Sequence, residues 1–247
     1  MSPAWGPREV PALVSDRLLF ALAVGLGSFL GPILFAAWVR NQERYHREPW
    51  TRVGLAFAWG ATGAVVMAIV LSLLVTASAV PQPIGVSSAL FGAVIVAPIV
   101  EEATKGLGLR WVKDEHVELE DGLVYGAAAG LGFSATENIV YGVSAYLQGG
   151  LPSVLWTVGL RTFTSSLLHA SASALIGYAL WRRRAGAGGV GLGVAGFYGA
   201  AVLLHSMFNV AASAQLVITF VAGLALAIGG FSWVRRRVRE LDRSPPF

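Results

Sequence analysis

Apolar residues in this chain fall in long blocks separated by short polar stretches. Blocks near 17–39, 52–80, 86–110, 121–147, 153–181, 190–213 and 215–234 are each long enough, as helix, to cross a hydrocarbon core of about 30 Å. The pattern predicts an all-α, polytopic membrane bundle of about seven transmembrane helices, with residues 1–247 forming one integral-membrane domain. Pro81, Pro83 and Pro152 fall in connections, where a residue without a backbone N–H is expected. Arg17 followed by the long run Leu18 to Val39 reads as a span that stays, not as a cleaved leader. Gly122, Gly126, Gly130 and Ser134 recur every four residues in the fourth block, a small-residue ridge on which a neighbouring helix can pack closely.

Composition and charge sharpen this picture. With 55% hydrophobic and only 13% charged residues, the chain is unlike an ordinary soluble domain. Its net charge of +4 comes from arginines at span ends, so nucleic acid is not an expected partner and membrane lipids are. Seven spans with the N-terminus outside put Arg40, Arg44, Arg47, Arg52, Arg110, Lys113, Arg182, Arg183, Arg184, Arg235, Arg236, Arg237, Arg239 and Arg243 inside, leaving Arg8 and Arg17 outside. That asymmetry predicts an inside C-terminus. His46 and His116 fall in inner loops and are expected to be solvated. The absence of cysteine excludes disulfides, thiolate metal sites and a cysteine nucleophile.

Seven ionisable residues remain within spans: Glu101, Glu102, Lys105, Glu137, Arg161, His169 and His205. A charge at the bilayer centre costs roughly 2.5–3.5 kcal/mol, so these groups must face the bundle interior and one another. Glu101 and Lys105 are four apart and share a helix face, while Glu102 sits about 100° round. One carboxylate can therefore hold the lysine while the other faces a cavity. Phe133, Glu137 and Tyr141 share a ridge beside Asn138; Arg161, Ser165 and His169 share another; His205 and Asn209 are co-facial. Counted from span ends, these groups come to similar mid-membrane depths, so four helices offer carboxylates, imidazoles and an amide to one buried place. Amide hydrolysis needs a base, a proton donor and groups aimed at the oxyanion, all of which this set contains.

The ordered motifs Glu101-Glu102-x-x-Lys105, Phe133-x-x-x-Glu137, His169 and His205-x-x-x-Asn209 resemble those of the PrsW family of intramembrane proteases, relatives of the CAAX prenyl endopeptidases and of Aph-1. The motif-bearing core covers about 86–213. The resemblance implies a glutamate-dependent endopeptidase in which Glu101 or Glu102 activates water and His169 is its partner. It places His205 and Asn209 at the oxyanion, with Glu137 also in the catalytic set and Lys105 and Arg161 supporting it. It further implies a single-pass membrane protein as substrate, an anti-sigma factor being the type expected in a bacterial inner membrane. The CAAX enzymes end their second motif in histidine where this chain has Glu137, which leaves open how the base finds its imidazole.

No resident cofactor is expected from the spacing, since no HExxH or other compact zinc motif occurs. Were a divalent metal such as zinc bound, its ligands would come from Glu101, Glu102, His169 and His205. Two other functions use the same buried groups. A proton- or cation-coupled transporter is one, though the two halves of the chain show no repeat. A non-catalytic, Aph-1-like scaffold docking a partner helix on the glycine ridge is the other.

Overall fold

A computed structural model describes residues 9–77, 87–112, 117–186, 192–214 and 216–242, with side chains from 17 onward in the first helix and from 193 onward in the sixth. Pro81, Pro83, Arg8, Lys113, His116 and Arg243 lie outside the described residues. All regular structure among the described residues is helical. Helix α1 is Glu9–Arg40. Helix α2 is Trp50–Ala77, widened into a π turn at Gly60–Ala64. Helix α3 covers 88–108, with a π turn at Gly92–Val96. Helix α4 is Leu119–Phe163, α5 Ser165–Arg184, α6 Leu192–Ser213 and α7 Val217–Leu241.

Among the described residues, four stretches are long and apolar enough to cross a membrane by themselves: Arg17–Arg40, Trp50–Ala77, Gly193–Ser213 and Val217–Leu241. The other helices carry most of the ionisable groups singled out above, which is why composition alone does not mark them. The protein is thus a multi-pass, all-helical membrane protein.

Helix α4 is two limbs. Gly149 and Gly150 leave helical geometry, and Gly150 takes a φ of 65°, a left-handed conformation that only glycine adopts without strain. The chain reverses there, with Pro152 opening the second limb. That limb continues through a bend at Thr164 (φ −115°, ψ −78°) into α5. The first limb and the returning chain lie antiparallel, and the glycine ridge is the reason they can. A Cβ on Gly122 would lie 2.5 Å from the carbonyl oxygen of Gly177, one on Gly126 2.4 Å from that of Ser173, and one on Gly130 2.1 Å from that of His169. Ser134 ends the ridge with a 2.8 Å hydroxyl contact to Ser166.

This hairpin is the core of the molecule. Residues 120–135 are buried without a break. Helix α2 presses on its other side, where a Cβ on Gly60 would strike the Ala129 carbonyl oxygen at 1.9 Å and one on Gly132 that of Phe57 at 2.0 Å. Helix α1 packs Val24 against Val154 and Val158. Leucines of the outer helices, such as Leu26, Leu30, Leu55 and Leu73, stay exposed, as a lipid-facing surface requires.

The π turns have local causes. Pro98, just after Gly92–Val96, has no N–H to give the helix. Carbonyls that leave the regular ladder are taken by neighbours: Asn209 Nδ2 donates to Ala93 at 2.8 Å, and Thr136 Oγ1 to Ala61 at 2.7 Å.

One end of the bundle gathers the arginines. Arg40 donates to the Glu48 carbonyl at 2.6 Å, Arg184 to the carbonyls of Leu109 and Val112 at 3.1 Å, and Arg235 stacks on Trp38 at 3.5 Å. Acids at this end are structural and buried. Glu43 accepts from the Glu48 N–H at 2.8 Å, and Asp242 accepts from the N–H groups of Arg44 and Tyr45. Burial, reinforced by the Glu48, Glu120 and Asp242 charges, pushes the Glu43 carboxyl up to about 8. Burial likewise raises Glu120 to about 7. His46 is half-exposed and 3.7 Å from Glu118.

Candidate active site

The polar cluster assembles where α3, the first limb of α4, α5 and α6 meet. On α3, Lys105 is fully buried. Its Nζ lies 2.7 Å from Glu102 Oε1, 2.8 Å from His169 Nδ1 and 3.7 Å from Glu101 Oε2. Phe133 lies beneath the ammonium, 4.3 Å from ring centre to Nζ, a favourable cation–π placement. The two adjacent glutamates therefore divide their work as their 100° offset suggests. Glu102 is the tight counterion, and Glu101 stands to one side.

Hydrogen-bond chemistry sets the histidines. An ammonium can only donate, so His169 Nδ1 accepts from Lys105. Its Nε2 then carries the proton and donates to Glu137 Oε2 at 2.9 Å. A carboxylate can only accept, so His205 Nδ1 donates to Glu102 Oε1 at 2.9 Å. The other ring nitrogen of His205 faces Glu101 Oε2 at 3.9 Å. The two imidazoles meet edge to face, 4.7 Å between centroids. Glu101, His169 and His205 each offer a ligand atom, and these atoms lie within 4.8 Å of one another.

A second layer holds these groups. Arg161 Nη2 pairs with Glu137 Oε2 at 2.8 Å, while its Nε donates to Asn138 Oδ1 at 2.9 Å and its Nη2 to Ser165 at 3.1 Å. Tyr141 stacks on the same guanidinium at 3.6 Å. Glu137 stands where the CAAX motif has histidine, and here it orients His169. Ser173 Oγ donates to Glu102 Oε2 at 2.9 Å. Sequence reasoning passed over Ser173, although it lies one turn beyond His169 on the same face. The cluster opens on the side of Glu137, Arg161 and Glu101, whose side chains are 25%, 16% and 14% exposed, against 0% for Glu102 and Lys105.

Asn209 stands apart. Its amide donates to Ala93, eight residues and about two turns before Glu101. It braces the π turn of α3. Glu102 is not one of the group of Glu101, His169 and His205; Lys105 and His205 hold its Oε1 and Ser173 its Oε2.

Residues 48–234 match the PrsW family, described as intramembrane metalloproteases. The chain belongs to that family. Protease PrsW of Clostridioides difficile (strain 630) is 34% identical over 114 residues, covering 44% of this chain and 47% of the relative. The match thus spans about half the length of that curated PrsW protein. No solved structure matches the chain.

The metal in the family's description has a test in the donor set. Glu101 Oε2 is buried without a hydrogen-bond partner. Opposite it, His205 shows the nitrogen that does not carry the proton given to Glu102. Two acceptors facing each other in a buried place suit a cation, and a carboxylate behind a ligating imidazole is the usual supporting arrangement. Both nitrogens of His169 are engaged, so it can ligate through Nδ1 by giving up its contact with Lys105, its Nε2 still donating to Glu137. With that exchange the Glu–His–His set fits a zinc-like ion.

Proposed function

We propose that this PrsW-family chain is an intramembrane endopeptidase. Its substrate is a single-pass membrane protein such as an anti-sigma factor, cut at the Glu101–His169–His205 cluster. The observation that carries the reading is the convergence of these three side chains, from three helices, within 4.8 Å. The proposed setting is a bacterial inner membrane, with seven spans and the arginine-rich end inside. The gathering of Arg40, Arg184 and Arg235 at one end of the bundle supports that orientation.

Glu101 is the reactive carboxylate. It is the member of the glutamate pair with a buried oxygen that lacks a hydrogen-bond partner, the Lys105 ammonium standing 3.7 Å away, and it takes the proton from the attacking water. Glu102 serves as a fixed anion that neutralises Lys105 and orients His205. Glu137 and Arg161 hold His169 at the open side, where a scissile peptide would enter. The Lys105 ammonium behind His169 supplies positive charge toward the developing oxyanion, and His205, its Nδ1 proton held by Glu102, presents its other nitrogen to Glu101. Asn209 acts through the backbone of α3, a positioning role in place of the oxyanion contact that the family pattern implies. A divalent cation held by Glu101, His169 and His205 would supply Lewis-acid polarisation of the scissile carbonyl.

Coexpression with tagged single-pass membrane proteins tests the reading. The wild type should yield a clipped fragment, and Glu101→Gln and His169→Ala should yield none while inserting normally. Undiminished cleavage by both variants would overturn the assignment.

A further inference from the structure

At the arginine-rich end, α3, α5 and α6 leave an open groove of about 430 Å³. Its walls are apolar, with Ala103, Leu107, Ile176, Leu180 and Ala195 among them, and it runs from Arg110 and Arg183 at the mouth toward Glu102. A second cavity of about 420 Å³ continues from the mouth, bounded by Arg110, Leu180, Arg183 and Arg184. The two share the guanidinium-bearing rim, so an apolar slot opens directly into a cationic cup. Arg184 is committed to the carbonyls of Leu109, Arg110 and Val112. The Arg110 and Arg183 side chains are exposed and have no hydrogen-bond or ion-pair partner among the described residues.

Arginines at span ends commonly face water. Here two of them, on different helices, converge over one cavity whose continuation is apolar and lies in the membrane. Charge then decides between occupants. Arg110 to Glu102 is eight residues, so the groove is about 12 Å long. A mouth bearing Arg110 and Arg183 over an apolar slot calls for a ligand with an anionic head and an apolar tail, and an extended hydrocarbon chain fits along the slot.

We propose that this groove binds an anionic phospholipid of the membrane, its phosphate on Arg110 and Arg183 and one acyl chain between α3, α5 and α6. Guanidinium groups match phosphate oxygens in charge and geometry. The chain end would reach the turn of α3 that bears Glu102, bracing that helix and keeping water from entering the cluster from this end.

Native mass spectrometry of the full chain, purified from one membrane preparation under one detergent wash, reads the site directly. The wild type should retain phosphatidylglycerol in preference to phosphatidylcholine. Arg110→Gln/Arg183→Gln should lower that retention about tenfold or more, the scale of two lost charge-assisted contacts. Arg236→Gln/Arg239→Gln, at exposed positions of the same end, should leave it unchanged. Ala195→Phe, which fills the slot and spares the arginines, should also displace the lipid. Each variant is checked for wild-type gel-filtration behaviour, and Arg183→Ala alone serves if the double variant aggregates. Equal retention by the rim variants, equal retention of the zwitterionic lipid, or equal loss in the Arg236/Arg239 control would each overturn the proposal. Displacement by inorganic phosphate with Ala195→Phe unaffected would mean a free-phosphate site, and would overturn it too.

Discussion

Glu101 and Glu102 are neighbours with opposite surroundings, and their glutamine variants should fail differently. Glu101→Gln removes a proton acceptor whose Oε2 has no hydrogen-bond partner. Cleavage should fall by roughly 10²–10⁴-fold, with little change in thermal stability. Glu102→Gln strips the tight counterion from a fully buried lysine 2.7 Å away. Breaking one side of such a pair costs about 3–5 kcal/mol, so the variant should melt early and lose activity by unfolding. A melting curve beside a cleavage assay separates the two, and identical behaviour would refute the division of labour. Metal analysis of the purified protein addresses the donor set without reference to activity. The wild type should carry close to stoichiometric zinc, His205→Ala should lose it, and an exposed-site control such as Arg236→Gln should keep it. The EExxK spacing made the pair of glutamates legible in the sequence. Which one is saturated was not legible, because Ser173 and His205 reach Glu102 from other helices.

At the scale of elements, the small-residue ridge is the most exacting feature. Its period of four was readable along the first limb of α4. That it meets Gly177, Ser173 and His169 on the returning chain required the hairpin to be seen. Gly130→Val would drive a Cβ to 2.1 Å from the His169 carbonyl oxygen. The helices would have to part, at a cost of at least the roughly 1–3 kcal/mol of ordinary overpacking. Because His169 rides on that contact, activity should fall along with the melting temperature. Gly150→Ala tests the reversal separately: its φ of 65° makes alanine unfavourable by about 1–2 kcal/mol, and the active cluster lies elsewhere. Melting temperature should drop while the activity of the folded fraction stays near wild type. The π turns were invisible in the hydropathy pattern, which reports burial and not the width of a helical turn. For the same reason the spacing that put Asn209 beside His205 did not foretell the hydrogen bond its amide gives to the Ala93 carbonyl.

The whole molecule is fastened at the arginine-rich end by acids from three parts of the chain: Glu43 after α1, Glu120 at the start of α4 and Asp242 after α7. Glu43 is raised to about 8 and Glu120 to about 7, from an ordinary value near 4.5. The folded protein therefore binds more protons than the unfolded chain between about pH 4.5 and 8, and stability must fall as pH rises through that window. Thermal melts in one detergent across that range should show the decline. Glu43→Gln should flatten most of its upper part, and a pH-independent difference between the two proteins would refute the assignment. By itself, the order of residues determined that the chain is helical, lives in a membrane and carries seven ionisable groups too costly to face lipid. Hydrophobic block length and the price of a buried charge are local properties, readable along one dimension. Which carboxylate has an oxygen without a hydrogen bond, which imidazole nitrogen is open, what Asn209 bonds and where two exposed arginines overhang an apolar slot were decided only by tertiary structure. Each depends on distances between helices far apart in the chain, and helical spacing specifies a face without naming what that face will meet.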